Sequence, residues 1–448
     1  MPSDVVVLGS GAEHAEISGR GVARAPQPVR GRGVAAQTWG RGVTRLMLVS
    51  AHVTPQLRAQ VAQGMRPCPE FLKLEALHGV RLLDWTAAGV GRGSARTPTT
   101  VLRHLRAALS PLSRAEAVLS DGEHLGIPLA IGLRVLGLRT PHLMIAHHVT
   151  TAKKAPCFRV LHADRRIDRL LVHSERQLRL ARRRLGLPPG RVALVPYGVD
   201  TDFWRPMDGD DEPLIVAPGR EHRDHRVLAA ACGSLPLRVF VADASLHNPG
   251  ARHAPAAGWP PNCEHGSADP FGLRHLYSRS RVVVVPLIPT DFPAGVTSVL
   301  EAMAMARPVI VSGTRGLAGI VQDGSTGVVV PPGDAGALAD AIRRLAADPR
   351  ERRRLGSNAR EDVVARFGVG LYAERLSEHL SDLSRPGGFL DGQGGEPNGN
   401  PTGDAASRSS STGWAASSSR GNPEPVGPTI PSRASPSLGS GAVMQAGL

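Results

Sequence analysis

The sequence predicts an α/β protein with two doubly wound parallel sheets. Short apolar runs alternate with helical patterns from residue 44 to residue 384, as expected when strands alternate with crossover helices. Residues 282–285 are four consecutive valines, and the absence of polar alternation is typical of a strand covered on both faces. A polar, aperiodic segment at 203–212 interrupts the alternation. We interpret it as the junction between two domains, at 44–206 and 207–384.

Each domain contains five apolar runs that we predict to be strands. In the first domain they lie at 45–49, 117–119, 142–145, 169–172 and 192–195, with helices at 98–109 and 175–185. In the second domain they lie at 214–217, 237–242, 281–285, 308–311 and 327–330. Its predicted helices lie at 226–232, 272–278, 298–305, 335–346, 349–367 and 369–383. Ligands of such domains bind at the carboxyl ends of the strands and in the cleft between the two sheets.

The two ends of the chain differ in composition from this core. Residues 385–448 contain 13 Gly, 8 Pro and 11 Ser among 64 residues, and such a segment buries too little apolar surface to fold. Residues 1–43 are rich in Gly, Arg and Ala. Both segments are predicted to be disordered.

The formal charge of +14 comes almost entirely from arginine, because lysine occurs only at Lys73, Lys153 and Lys154. Thirteen basic and five acidic residues lie between 151 and 205. This excess indicates either a face that meets phosphates or an anionic membrane surface, or a set of solvated helices. Nucleic acid is not an expected partner, since only 4% of the residues are aromatic and no stacking platform is encoded.

Cellular location is predicted from what the sequence lacks. The four cysteines have the spacing of neither a disulfide framework nor a zinc site. The N-terminal segment has no apolar run typical of a secretory signal, and no stretch reaches the ~18 apolar residues of a spanning helix. We expect a cytoplasmic protein whose contact with the inner membrane face is at most peripheral.

The most informative segment is AGVTSVLEAMAMARPVI at 294–310. It predicts a small-residue loop that opens a helix, followed by a strand. The backbone N–H groups of Gly295, Val296 and Thr297 are then expected to face a donor phosphate at the helix N-terminus. Glu301 either accepts hydrogen bonds from a ribose diol or only complements the helix dipole.

This segment, together with GLAGIVQDGSTGVVVPPGD at 316–334 and LADAI at 338–342, resembles the retaining glycosyltransferases of the family-4-like group, the glycosyl transferases group 1. The resemblance covers about 43–380 and is strongest after 268. It implies the GT-B fold, in which two Rossmann-like domains face a cleft and the final helix crosses back onto the first domain. It also implies hexosyl transfer, with retention, from a nucleotide diphosphate sugar to an acceptor hydroxyl in glycan or glycolipid assembly.

One position departs from the family pattern. The family carries a glutamate at the donor sugar eight positions before Glu301, where this chain has Pro293. Asp291 is the nearest carboxylate and the candidate replacement; the alternative is that it is a solvated loop carboxylate. The resemblance further implies a Gly–Arg pair and a nearby lysine at the donor diphosphate. Arg220 of GREHRDHR at 219–226 matches the arginine, and Arg223 is a second candidate because the lysine position falls near His225.

The first domain supplies the remaining candidates. The family places a histidine after such a strand against the donor sugar; His148 is the nearest match and His147 its rival, so both join Asp291 as catalytic candidates. Candidates for the acceptor side share positions in the loops after predicted strands: His52, Asp121, Glu123, His124, Lys153 and Lys154. The alternative for these residues is hydrogen bonding and capping within the loops.

The Asp-Gly-Glu segment at 121–123 is not a convincing ligand set for a divalent cation, so we expect neither a metal nor another cofactor, with arginines and a helix N-terminus carrying the diphosphate. Two other functions stay open. A second type of GT-B enzyme, such as a phosphorylase or epimerase, is disfavoured because lysine is absent from 207–384, where a lysine-bound cofactor would need it. A non-catalytic module that binds nucleotide sugars is favoured only by the loss of the first glutamate.

Overall fold

The computed structural model describes residues 44–91, 97–149, 157–158, 161–209, 211–242 and 258–384. The predicted disordered segments, 1–43 and 385–448, lie outside these residues, as do Lys153 and Lys154. Within the described part of the chain, no helix is long and apolar enough to span a bilayer.

The first sheet has six parallel strands in the order β2-β1-β3-β4-β5-β6. The strands are β1 Thr44–Leu48, β2 Arg81–Leu83, β3 Ala115–Ser120, β4 His142–Ala146, β5 Arg169–Val172 and β6 Val192–Leu194. The helices between them are α1 Pro55–Ala62, α2 Glu70–His78, α3 Pro98–Leu112, α4 Glu123–Val135 and α5 Glu175–Leu185.

The second sheet also has six parallel strands, in the order β12-β11-β10-β7-β8-β9. They are β7 Glu212–Pro218, β8 Arg238–Ala242, β9 Cys263–Gly266, β10 Ser280–Val285, β11 Val309–Ser312 and β12 Val328–Val330. The helices are α6 His225–Cys232, α7 Pro270–Arg279, α8 Val296–Ala304, α9 Ala335–Ala347, α10 Pro349–Phe367 and α11 Val369–Ser384. Counted within the sheet, this is the 3-2-1-4-5-6 order of dinucleotide-binding folds.

The predicted fold class is therefore confirmed. The valine run in β10 shows why the pattern was informative: Val283 and Val285 pack into one apolar cluster and Val282 and Val284 into another, on the opposite face. All four side chains are fully buried. A strand covered on both faces has no position that favours a polar residue.

Most helices begin at a polar side chain that accepts a hydrogen bond from the first turn. Thr54, Ser174 and Asp224 do this for α1, α5 and α6. Helix α8 is different, because its N-cap is Gly295 at φ +76° and no side chain caps it. The positive end of the α8 dipole is thus not neutralised by a capping side chain, and the surrounding loops determine what contacts it.

The chain passes between the two sheets twice, and the two crossings are paired. Val199 donates to the Phe367 carbonyl and accepts from the Val369 N–H at 2.8 Å each. After the second crossing, α11 packs onto the first sheet, where Tyr372, Leu376 and Leu380 join the cluster that contains β1 and β3 residues. This confirms the expectation that the last helix returns to the first domain.

Candidate active site

The carboxyl ends of the parallel strands gather the polar residues of each sheet at one edge. In the first sheet the segments after β1 to β5 bring Ser50, Asp84, Asp121, His147 and His173 to that edge. In the second sheet the loops after β7 and β10 meet there, because Arg223 forms an antiparallel bridge with Leu287. The two loops that carry the predicted donor contacts are thus neighbours.

The guanidinium of Arg223 is fixed at the N-terminal end of α8. Its Nε donates to the Pro218 carbonyl at 2.9 Å, one Nη to the Glu221 carbonyl at 3.0 Å and the other Nη to Ser298 Oγ at 3.0 Å. Burial lowers the pKa of Arg223 to about 10, so the guanidinium is charged at neutral pH. A Cβ on Gly295 would lie 3.1 Å from its Nη1, which explains why glycine suits this N-cap.

The sequence ranked Arg220 ahead of Arg223, whereas the structure brings Arg223 against the first turn of α8. Arg220 lies on the same turn, three residues earlier, and its carbonyl accepts from the Arg223 N–H at 3.4 Å. The sequence alone does not distinguish Arg223 as the residue next to α8, because the nearby His222 and Arg226 are polar as well. The bridge between Arg223 and Leu287, a long-range contact, brings Arg223 to α8; both arginines stay predicted donor contacts.

Glu301 lies on α8, with Arg223 acting on it electrostatically. Tyr277 Oη donates to Glu301 Oε2 at 3.4 Å. Burial raises the pKa of Glu301 to about 8, although Tyr277 and Arg223 pull the value down. Val296 and Thr297 form the first turn of the same helix, and the Val296 N–H donates to the Pro293 carbonyl at 3.2 Å.

Asp291 sits at the tip of the loop between β10 and α8 and reaches the first domain. Its Oδ1 accepts from Arg176 Nε of α5 at 2.8 Å. This hydrogen bond is the main reason why the pKa of Asp291 lies below its usual value. The next residue, Phe292, meets the His148 ring edge-on with centroids 4.2 Å apart.

The two histidines after β4 point to different surroundings. His148 faces Phe292, and its backbone N–H donates to the Glu123 carboxylate. His147 Nε2 lies 3.7 Å from Asp121 Oδ1. Burial works against a charge on His147, but Asp121 outweighs it, so the pKa of His147 is raised.

Among the acceptor-side candidates, Asp121 contacts both Ser50 and His147. It accepts from Ser50 Oγ at 3.0 Å, and its pKa lies below the usual value because His147 and Ser50 overcome the effect of burial. Glu123 and His124 form the first turn of α4, a helix that the sequence did not predict. His52 lies in the segment after β1. Its Nδ1 is 3.3 Å from Thr86 Oγ1, and its ring meets the Trp85 ring edge-on.

Two residues of this edge were missed by sequence reasoning. Glu70 opens α2, and burial together with the Asp121 charge raises its pKa to about 7. His173 follows β5, donates from Nδ1 to the Val195 carbonyl at 2.9 Å and lies 5.5 Å from the His147 ring. Burial lowers the pKa of His173 to about 4. His173 directly follows a predicted strand and could have been found; Glu70 has no comparable signal, since α2 was not predicted.

Among the described residues, no group of three or more His, Cys, Asp or Glu side chains has the arrangement of a metal site. The expectation that no metal or cofactor takes part stays a prediction.

Comparison with known proteins shows which proteins this chain resembles. Residues 254–362 match the family model for glycosyl transferases group 1. Alpha-D-kanosaminyltransferase of Streptomyces kanamyceticus is 25% identical over 246 residues, which are 48% of this chain and 61% of that protein. D-inositol 3-phosphate glycosyltransferase of Mycobacterium tuberculosis is 30% identical over 258 residues, which are 49% of this chain and 52% of that protein. The chain thus spans between half and two thirds of the length of these relatives.

Solved structures share the fold. Sucrose-phosphate synthase from Thermosynechococcus elongatus superposes with a TM-score of 0.58 at 20% identity, over 76% of this chain and 99% of that one. Anabaena HepE in complex with UDP-glucose gives a TM-score of 0.55 at 15% identity, over 76% of this chain and all of that one. On these findings the chain is similar to the glycosyl transferases group 1 over residues 254–362 and has the two-domain GT-B fold.

Proposed function

We propose that this protein transfers a hexosyl group from a nucleotide diphosphate sugar to an acceptor hydroxyl. The observation that carries the proposal is Arg223, whose guanidinium is held by two loop carbonyls and by Ser298 Oγ at the N-terminal end of α8, with Glu301 on the same helix. A fixed guanidinium and a helix N-terminus are complementary to a diphosphate. A carboxylate nearby is complementary to a ribose diol.

The choice of donor follows from the relatives as well as from the site. Anabaena HepE, which shares the fold, has been crystallised with UDP and with UDP-glucose. The relatives from Streptomyces and Mycobacterium are named as glycosyltransferases. Both facts support a nucleotide sugar as the donor; they do not select the base or the sugar.

In the proposed reaction the bond between the anomeric carbon and the diphosphate oxygen breaks, and a bond from that carbon to the acceptor oxygen forms. The nucleoside diphosphate leaves with the bonding electron pair, and the proton that the acceptor hydroxyl loses passes to the leaving diphosphate oxygen or to solvent. Arg223 and the α8 N-terminus stabilise the charge that develops on the leaving phosphate. We propose retention at the anomeric carbon and no metal, with the acceptor on the first domain near Asp121 and His147.

A ligand screen followed by a product assay tests this proposal. Purified protein is heated with UDP, GDP, ADP and their common sugars; a ligand at 100 times its Kd should stabilise the fold by about 2.7 kcal/mol. Release of nucleoside diphosphate from the best donor is then measured with a panel of hydroxyl acceptors. Arg223→Ala should abolish the thermal shift, whereas the exposed Arg343→Ala on α9 should keep it. Absence of any nucleotide-dependent shift in the wild type contradicts the proposal.

A non-catalytic nucleotide-sugar module is the second candidate. It is favoured by Pro293 in place of the expected glutamate and by Asp291, whose Oδ1 already accepts from Arg176. Such a protein would shift in the thermal screen but release no nucleoside diphosphate beyond the buffer rate with any acceptor.

A further inference from the structure

The loop that leads into α8 touches the first domain at two consecutive residues. Asp291 pairs with Arg176 of α5 at 2.8 Å, and the Phe292 ring packs edge-on against His148. The loop therefore joins the donor side of the molecule to the segment that carries the predicted sugar-facing histidine.

On its own domain this loop is held by hydrogen bonds and close backbone packing. Thr290 Oγ1 donates to the Phe292 carbonyl at 2.8 Å, and the Gly316 N–H donates to the Thr290 carbonyl at 3.1 Å. Gly316 packs so closely that a Cβ there would overlap the Phe292 carbonyl. The Ala294 N–H also bonds to that carbonyl, at 2.7 Å. The position of Asp291 is thus transmitted over four residues to Gly295, the N-cap of α8.

On the other domain, the first turn of α5 contacts both the donor loop and the backbone of His147. Ser174 caps this turn. Arg176 reaches Asp291, and the adjacent Gln177 donates from Nε2 to the His147 carbonyl at 2.7 Å. One helical turn therefore fixes the backbone of the histidine pair and the tip of the donor loop together.

We propose that Arg176 is a positioning residue, whose ion pair with Asp291 sets the donor loop and the α8 N-terminus against the histidine pair of the first domain. The inference rests on the proposed transferase function for its kinetic consequence, but the contact itself is independent of that function. It gives Asp291 a bridging role, in place of the direct contact with the donor sugar that its sequence position suggested.

The charges around the pair favour this role. The pKa of Asp291 is lowered first by Arg176 and further by Arg184 and Arg315, so the carboxylate is ionised at neutral pH. The side chain of Arg176 is 23% exposed and that of Asp291 is 36% exposed, so salt weakens the pair only in part.

Kinetics of five variants test the proposal: Arg176→Ala, Arg176→Lys, Asp291→Asn, the exchange of both residues (Arg176→Asp with Asp291→Arg), and Arg179→Ala as control. Arg179 lies on the same helix and is largely exposed. For Arg176→Ala and Asp291→Asn we expect equal losses of about tenfold in kcat/KM for transfer, which is about 1.4 kcal/mol. Affinity for the bare nucleoside diphosphate should change by less than about twofold, because the nucleotide contacts are on the second domain alone.

Rescue is the readout that a merely structural residue would not give. Arg176→Lys should retain most of kcat/KM, since it keeps the charge. The exchanged pair should recover part of the loss, although the arginine introduced at position 291 would still face Arg184 and Arg315. Arg179→Ala should behave as wild type.

Hydrogen–deuterium exchange separates this proposal from the proposed function. In the ligand-free protein, Arg176→Ala should speed exchange in peptides covering 287–296 and 147–149, and the exchanged pair should slow it again. This measurement needs no activity, so it tests the contact even if no donor or acceptor is found. Two outcomes overturn the proposal: unchanged exchange in Arg176→Ala, or a loss of transfer in Asp291→Asn that Arg176→Ala does not share. The second outcome would place Asp291 directly on the donor sugar.

Discussion

At the scale of single residues, the pKa values of the buried carboxyl groups are shifted in opposite directions. Burial raises the pKa of Glu301 to about 8 and that of Glu70 to about 7, whereas His147 and Ser50 keep the pKa of Asp121 below its usual value. Displaced pKa values in a cluster are typical of functional sites, although structural ion pairs also produce them. Glu301 and Glu70, whose pKa values are raised, are thus the groups whose charge a ligand can change.

Glu301→Gln should weaken nucleotide binding and remove the part of its pH dependence that the Glu301 carboxyl group causes. Below pH 8 the free protein holds Glu301 mostly protonated. A ribose diol donates to a carboxylate, so binding should release a proton and the affinity should rise as pH increases toward 8, then level off. Losing the charged hydrogen bond should cost about 1.5–3 kcal/mol of binding above that pH.

Calorimetry from pH 6.5 to 9, in buffers of different ionisation enthalpy, measures both the affinity and the released proton. The phosphate groups of the ligand titrate too, so the difference between wild type and Glu301→Gln isolates the carboxyl group. Equal affinities for the two proteins at every pH would remove Glu301 from the nucleotide site.

Asp121→Asn should lower the pKa of His147. Burial disfavours the charged imidazole, and the Asp121 carboxylate is the main group that counteracts this. The wild-type imidazolium therefore persists to higher pH than in the variant. NMR titration of the His147 ring, assigned with His147→Gln, checks the direction; an unchanged midpoint would mean that Glu123 and Glu70 alone hold the charge.

At the scale of elements, the sequence was informative where apolar periodicity decided the structure. β10 and α10 follow directly from their patterns, whereas β2 has only three residues and β9 reads Cys-Glu-His-Gly, without an apolar run. α4 contains Gly126, Pro128 and Gly132, which disfavour helix, yet Gly126 lies so close to Met144 that no side chain would fit. Packing between elements overrides local propensity there. For the same reason the pairing of Arg223 with the α8 N-terminus and of Arg176 with Asp291 was not predictable.

Gly316→Ala should destabilise the donor loop. The added Cβ would overlap the Phe292 carbonyl, a backbone atom that cannot turn aside as a side chain can. Such overpacking costs about 1–3 kcal/mol, so the Tm should fall by several degrees. Gly370→Ala is the matched control, because nothing lies within 4 Å of a Cβ on this α11 glycine and alanine favours helix. A Tm for Gly316→Ala at or above that of Gly370→Ala would contradict the packing argument.

At the scale of the whole molecule, the chain closes on itself through α11. The paired crossings at Val199 and Gly368 bring the end of the second domain back to the first, and Arg45 of β1 donates to Ser381 Oγ at 2.8 Å. The first sheet thus depends for part of its cover on a helix that is synthesised after the whole second domain. A truncation that ends after α11 and one that removes α11 should therefore differ strongly in their effect on stability.

Removal of residues 385–448 should leave the Tm and the nucleotide affinity nearly unchanged, because half of that segment is Gly, Pro or Ser and encodes no apolar face. Removal of α11 as well should uncover the cluster around Met47 and Leu119 and leave the first domain insoluble or unfolded.

Since the longer deletion would give no soluble protein to measure, Leu376→Ala provides the graded test. Leu376 is fully buried against the first sheet, so its truncation should cost about 2–5 kcal/mol and lower the Tm by several degrees. Calorimetry of the wild type, the protein without 385–448 and Leu376→Ala checks these predictions. A large loss of Tm on removing only 385–448, or no loss in Leu376→Ala, would show that a segment other than α11 completes the first domain.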